Sequence, residues 1–191
     1  SRIARLWGNV CIAALIWGIG GIMYSRLPFS SSKDALFWWQ FSYISVIFTP
    51  IFFLHFVFGL LKLNKKFFLF LAYSLGFIFL FLDWFKGSKF FLKDVRFVFN
   101  KFYWIDPFKE NNPIFLIFYI VFFWFVLGYC FYLLIKAYPK SSGLTRNQLK
   151  YFILGSLIGW LGPEGDFLIA FHIDIYPFSN FLIAIYPIIF A

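Results

Sequence analysis

The fold is decided by the stretch PIFLIFYIVFFWFVLGYCFYLLIKA, residues Pro113–Ala137, whose first charged side chain is Lys136. An α-helix needs about 20 mostly apolar residues to cross the hydrocarbon core of a bilayer. This stretch meets that length with almost no charge to place in lipid. It therefore predicts a transmembrane helix.

The rest of the chain repeats this pattern. Of its 191 residues, 62% are hydrophobic and 13% are charged, whereas a soluble domain is about half apolar and a quarter charged. Open sheet edges cannot be hydrogen-bonded in hydrocarbon, so we predict an all-α polytopic membrane protein, a bundle of about six transmembrane helices in a single membrane domain, 1–191. The predicted helices cover 6–24, 36–61, 67–85, 113–137, 146–161 and 181–191, the last one truncated, as in a fragment of a longer protein.

Several helix ends carry local signals. Asn111-Asn112-Pro113 offers an N-cap followed by proline in the first helical turn. Thr145 and Gln148 fit a capping box, which predicts Thr145 as the N-cap of the fifth helix. Gly162-Pro163 is expected to end that helix, because proline cannot continue the hydrogen-bond ladder.

The long connection 86–112 carries a structured segment of its own. Its piece KFFLKDVRFVFNKFYW, Lys89–Trp104, alternates Val95, Phe97 and Phe99 with Arg96, Val98 and Asn100. Alternation of this kind favours a short β-hairpin or an interfacial cap over one end of the bundle, with a helix as the alternative.

The charge distribution predicts an orientation. The formal net charge is +9, but the cations cluster at the ends of apolar runs, as membrane topology signals do, so we expect no nucleic acid partner. The N-terminus and the second and fourth connections together hold nine Lys and Arg, against eight on the other side. Without the mixed-charge connection 86–112 the ratio is nine to two, which places the N-terminus in the cytoplasm and the chain in the plasma membrane.

Three segments in order resemble a known family. They are Ala14–Trp17 (ALIW), Ile135–Phe152 (IKAYPKSSGLTRNQLKYF) and the glycine-rich Ile153–Ala191 with its proline turn Ile175-Tyr176-Pro177. Together they resemble the N-terminal seven-helix membrane region of bacterial sensor histidine kinases. The resemblance implies a first family helix before Ser1, a cytoplasmic N-terminus here, and a last helix that drives a cytoplasmic output domain in the same chain. No kinase region lies within these residues, so the resemblance implies a non-catalytic sensory module.

The candidate signal-sensing outer surface combines two sets of residues. Asp83 ends the third helix, where contact with water is expected, and Trp104 ends the predicted cap. The connection between the fifth and sixth helices adds an acidic patch without Lys or Arg, which could bind a divalent cation or a cationic ligand. Its spacing matches no metal motif, and a solvated loop is the preferred interpretation. The patch comprises Glu164, Asp166, His172 and Asp174.

Two further sets concern the membrane interior. Small residues allow helices to approach closely, and a seam of them is predicted here. The preferred interpretation is packing within the bundle, and the alternative is a signalling or homodimer interface. The seam comprises Ala14, Gly18, Gly155, Gly159 and Gly162. The intramembrane polar residues are candidates for hydrogen bonds between helices. His55 could instead be a ligand, proton relay or pH sensor, although a bond across helices or to the headgroups is preferred. This polar set comprises Asn9, Gln40, Thr49 and His55.

Three functions stay open. The leading one is a sensory receptor in which a small shift of helices four to six, eased by the glycines, answers an unknown small ligand or another stimulus. A small carrier or channel and a structural anchor are the alternatives. An enzyme is not expected, because the helices supply no paired carboxylates, and the chain contains neither a Gly-x-Ser-x-Gly motif nor a phosphate-binding loop. We expect no cofactor and no metal.

Overall fold

The structure, a computed structural model, describes residues 2–29, 31–84, 91–92, 94–104 and 113–182. Within these ranges, five helical stretches are long and apolar enough to cross a membrane, which confirms the predicted all-α membrane architecture. They are Arg2–Ser25, Ser32–Leu60, Lys66–Trp84, Pro113–Lys140 and Gly143–Ala170. The chain forms two compact units, Ser1–Cys130 and Phe131–Ala191.

Helices α1 (Arg2–Ser25) and α2 (Ser32–Leu60) run antiparallel in the first unit. At one end Trp7 meets Phe56 with ring centroids 5.1 Å apart, and at the other Tyr24 stacks on Trp39 at 4.1 Å. The buried positions of α1 recur about every 3.5 residues, the period of a seam between two packed helices. These positions are Leu6, Val10, Ala13, Gly20 and Tyr24.

Helix α3 (Lys66–Trp84) packs on α2 through a glycine. A Cβ atom added to Gly76 would lie 2.5 Å from Cδ1 of Ile51, so a larger residue there would require the Ile51 side chain to move. On its other side α3 exposes large apolar side chains, as a helix in contact with lipid does. These include Phe70, Phe77 and Phe81.

The predicted hairpin is confirmed and the helix alternative is wrong. Strands β1 (Val95–Val98) and β2 (Lys101–Trp104) pair antiparallel, with Val95 opposite Trp104 and Val98 opposite Lys101. Phe99 and Asn100 form the turn, with φ of 50° and 62°. Positive φ at both central residues is the geometry of the two-residue turn that matches the twist of paired strands.

The fourth span changes its winding along its length. It begins as α4 (Pro113–Leu116), continues as an eight-residue π-helix (Ile117–Trp124) and returns to α-helix in α5 (Phe125–Ala137). Buried aromatic side chains of the π-helix pack against α3. The ring centroids of Phe118 and Phe79 lie 4.9 Å apart. The predicted cap at Asn111-Asn112 lies outside the described residues.

The second unit contains helices α6 (Gly143–Leu161) and α7 (Glu164–Ala170). Helix α6 ends before Gly162, as predicted, but its N-cap is Ser142, so the prediction that Thr145 caps it is wrong. The connection after Gly162 was predicted as a loop, yet Pro163 is the N-cap of α7. Of the predicted sixth helix only Phe181 and Leu182 are described, both helical.

Candidate functional site

The candidate site lies at the end of the first unit where the hairpin packs, called here the hairpin end. Helix α1 ends there, α2 begins there, α3 ends there and the fourth span begins there. The hairpin is fastened to this end by the indole of Trp39, whose Nε1–H donates to the carbonyl oxygen of Phe102 over 3.0 Å. This buried bond joins residues 63 positions apart and makes the hairpin part of the packed core.

A cluster of packed rings surrounds this bond. Trp104 contacts Trp39 at 4.5 Å and Tyr43 at 5.6 Å between ring centroids, both edge to face. Tyr43 also contacts Phe91 at 5.7 Å and Phe115 at 5.9 Å. Edge-to-face pairs of this kind add about 0.5–1.5 kcal/mol each beyond the area they bury. The cluster therefore joins α2, the hairpin and the fourth span.

Asp83 is an acidic residue that this end buries completely. It lies in the last turn of α3 with 0% of its surface exposed, one helical turn after Phe79 and on the same face. Phe79 contacts Phe91 at 6.2 Å, so the face that carries Asp83 is turned towards the packed rings. The prediction that Asp83 lies in water is wrong.

The carboxylate of Asp83 is unsatisfied in the structure. The side chain of Gln40 donates its Nε2–H to the main-chain oxygen of Asp83 over 3.0 Å. Neither Oδ1 nor Oδ2 of Asp83 has a hydrogen-bond partner among the described residues. Buried polar groups are nearly always hydrogen-bonded, so an exception of this kind indicates a functional role or a missing partner.

Trp104, the other member of the predicted surface in this unit, is also interior, at 2% exposure. Its ring is held between Trp39 and Tyr43. The hairpin end thus has an internal site formed by Asp83, Gln40 and the rings, in place of a sensing surface made of exposed side chains.

The other four predicted residues lie in the second unit. Asp166 is in α7 and only 6% exposed, and its Oδ1 accepts from Nδ2 of Asn180 over 3.0 Å. Glu164 opens α7 and is half-buried, and Asp174 is exposed. His172 has φ of 59° just after α7, the left-handed position that commonly ends a helix. The preferred interpretation as a solvated loop is therefore wrong for Glu164 and Asp166.

Ser179 closes this part of the second unit. Its hydroxyl donates to the carbonyl oxygen of Gly162 over 2.7 Å and accepts from the N–H of Gly165 over 2.9 Å. Both partners are main-chain groups at the break between α6 and α7, where the helical ladder leaves donors and acceptors without partners. A Cβ atom on Gly165 would overlap the Ser179 hydroxyl. We call these three residues, with Asp166 and Asn180, the serine clasp.

Among the described residues no group of three or more His, Cys, Asp or Glu side chains could hold a metal ion. The chemistry offered is a single buried carboxylate in the first unit and a hydrogen-bonded clasp in the second.

A scan against protein-family models matches residues 4–191 to the N-terminal 7TM region of histidine kinase. The chain belongs to this family. No curated protein and no solved structure matches it significantly. The chain is therefore a membrane-embedded sensory module of the histidine kinase type, and the 7TM region itself is a non-catalytic part of such proteins.

In this 7TM region the predicted seam of small residues is only partly buried. Ala14 and Gly18 are exposed, and a Cβ atom on Gly18 would meet nothing within 4 Å. The packed small residues of α1 are instead Ala13 and Gly20, on another face. In α6, Gly155 is buried and Gly159 is half-buried, while Gly162 is buried at the end of the helix.

The intramembrane polar residues of the 7TM region differ in their contacts. His55 and Tyr73 share a hydrogen bond of 3.1 Å between α2 and α3. Gln40 of α2 donates to the main chain of α3. Both bonds join two helices, which is the preferred interpretation for His55 and Gln40. Thr49 instead donates to the main-chain oxygen of Ser45 within α2, so the prediction for Thr49 is wrong. Asn9 is half-buried.

The sequence signals for the internal site were weak. Trp39 was one aromatic residue among many in an aromatic-rich chain. Its role depends on a contact 63 residues away. Asp83 stands beside Trp84 at a helix end, a position that is typical of the water interface.

Proposed function

We propose that this 7TM region receives its stimulus at the hairpin end, outside the cell, and transmits it to a cytoplasmic kinase domain in the same chain. The observation that carries the proposal is the Trp39–Phe102 hydrogen bond. Because it fastens the hairpin to α2, any stimulus that moves the hairpin also acts on the transmembrane core. Small displacements are amplified where packed elements have two alternative arrangements.

The orientation in this proposal rests on charge. Nine Lys and Arg in the N-terminus and two connections, against two elsewhere outside 86–112, favour a cytoplasmic N-terminus. The α2–α3 connection with Lys65 then faces the cytoplasm, as does the connection before α6. On this orientation the hairpin faces outwards.

The proposed output movement is a small shift of the fourth, fifth and sixth predicted helices, eased by Gly155, Gly159 and Gly162. A second copy of the chain, the lipid bilayer and an unknown small ligand are the other proposed partners. The glycines support this because small residues let helices approach closely and slide in lipid.

The orientation is tested by labelling single cysteines in intact cells with a membrane-impermeant maleimide. Lys101→Cys is expected to react from outside, whereas Lys65→Cys and Ser142→Cys are expected to react only after permeabilisation. The reverse pattern would contradict an extracellular hairpin. Because Cys11 is exposed in α1, it is replaced by alanine in every variant.

Transmission is tested by autophosphorylation of the full-length protein. Trp39→Phe keeps a ring but removes the donor to Phe102, and is expected to change the signalling level. Trp38→Phe, at a half-buried position on the same helix, is the matched control and is expected to leave it unchanged. Equal output from all three proteins, or solute flux through liposomes bearing the native protein, would contradict the proposal.

A further inference from the structure

The buried carboxylate of Asp83 is a group that the packing described so far does not explain. Both of its oxygens are shielded from solvent and have no hydrogen-bond partner among the described residues. Removing an ionised carboxylate from water without a partner costs on the order of several kcal/mol. The neutral acid avoids most of that cost. Closed packing of the described residues around Asp83 therefore favours the protonated, neutral acid.

We infer that Asp83 is the proton-binding site of this sensor region: with a proton bound the hairpin end is closed, and loss of that proton opens it. This inference rests on the proposed function in one respect, namely that the hairpin end receives the stimulus, and it identifies that stimulus as external acidity.

The closed site suits a proton better than any metal ion. Hard cations such as Ca²⁺ and Mg²⁺ take about six or more oxygen ligands from the protein and water. The carboxylate oxygens are shielded from solvent, and the described residues offer no group of three metal-binding side chains. A proton needs one oxygen and no added space. It is the cation that this packing can accept.

The charged groups around Asp83 do not replace the proton. On the described elements at this end, five are exposed: Arg26 after α1, Lys33 and Asp34 in the first turn of α2, and Asp94 and Lys101 in the hairpin segment. Arg96 on β1 is half-buried, and the first turn of the fourth span, Pro113–Leu116, carries no charge. None of them is a hydrogen-bond partner of the Asp83 oxygens.

The ring cluster links the protonation of Asp83 to the packing of the hairpin. Phe91 contacts both Phe79, one turn before Asp83, and Tyr43, which in turn contacts Trp104 of the hairpin. Water that enters to solvate an ionised Asp83 has to separate these rings. Ionisation therefore weakens the packing that holds the hairpin on α2.

The inference is tested by the distance between two spin labels, attached through Lys33→Cys on α2 and Lys101→Cys on β2, in the full-length protein in lipid nanodiscs. Labelled protein is diluted with unlabelled protein, and no other exposed cysteine is present. Between acidic and alkaline buffer the distance is expected to lengthen by more than about 2 Å, the scale of a loop rearrangement on binding. A constant distance would overturn the inference.

Substitutions locate the effect. Asp83→Asn, which is neutral and of the same shape, is expected to keep the short distance at every pH, and Asp83→Leu guards against a folding defect specific to asparagine. Asp34→Asn, an exposed acid at the same end, is the matched control and should retain the native pH response. If both Asp83 variants still respond to pH, the site lies elsewhere.

A series of cations tests the remaining alternative, which is that the site responds to sodium. Replacing sodium with a bulky organic cation at constant pH is expected to leave the distance unchanged, and a distance that follows sodium would overturn the proton assignment. Because the measurement needs no kinase activity, a pH response without any change in autophosphorylation would count against the proposed function and not against this site.

Discussion

Trp39 and Phe102 are joined by a buried hydrogen bond of 3.0 Å between an indole N–H and a main-chain oxygen, so the hairpin is anchored to the second helix. Loss of this bond would leave the Phe102 oxygen without the Trp39 donor. An unsatisfied buried acceptor costs about 1–3 kcal/mol of stability.

Trp39→Phe is therefore expected to lower the free energy of unfolding by that amount and to speed amide hydrogen exchange in 95–104. Thermal unfolding in detergent and hydrogen exchange by mass spectrometry measure the two effects. The control Trp38→Phe is expected to change neither. Unaltered exchange in the Trp39 variant would show that the bond does not hold the hairpin.

The glycines of α1 give a prediction that separates the packed face from the open one. Gly20→Ala places a methyl group against the hydroxyl of Ser42 and 3.1 Å from the Trp38 carbonyl oxygen, and is expected to destabilise the protein by about 1–3 kcal/mol through overpacking. Gly18→Ala meets open space and is expected to be neutral or stabilising by up to about 1 kcal/mol. Melting temperatures in detergent compare them, and equal losses would refute the assigned face.

His55 and Tyr73 are expected to couple across α2 and α3. Their 3.1 Å hydrogen bond lies in a membrane environment, where such bonds are worth about 0.6 kcal/mol on average and up to about 1.7. A double-mutant cycle of His55→Phe and Tyr73→Phe, followed by unfolding in mixed micelles, measures the coupling. Additive losses would mean that the two side chains pack without bonding.

Ser179 gives a prediction for the second unit. Ser179→Ala removes one donor and one acceptor from the break between α6 and α7, and is expected to destabilise it by about 1–3 kcal/mol. Ser141→Ala, which loses a single bond to Ala137, is the matched control. Hydrogen exchange at 162–170 reports the difference. If the two variants exchange at the same rate, the clasp contributes nothing.

The sequence predicted much of the fold because its strongest signals are local. Pro113–Ala137 is apolar over a whole membrane thickness, and the alternation around Phe97 favours a hairpin over a helix. Pro163 is different, because proline both ends one helix and suits the first turn of the next. The sequence rule for ending α6 was right, and α7 was missed.

The internal site could not be predicted for a physical reason. The burial of Asp83 accompanies the packing of α2 against the end of α3, where Gln40 donates to the main-chain oxygen of Asp83. Helix-end position alone places an acid in water. Whether Ala13 or Ala14 faces α2 likewise depends on the rotation of α1 about its axis, which two apolar faces leave undetermined. The close contact at Gly20 decides it.

The π-helix at Ile117–Trp124 has a consequence for how the fourth span could evolve and move. A loosely wound stretch holds surplus residues between two ordinary α-helical pieces. Tightening it would rotate α5 about its own axis relative to α4 without unfolding either helix. Deleting one residue between 117 and 124 is then expected to be tolerated by the fold and, under the proposed function, to fix the kinase at one level of output.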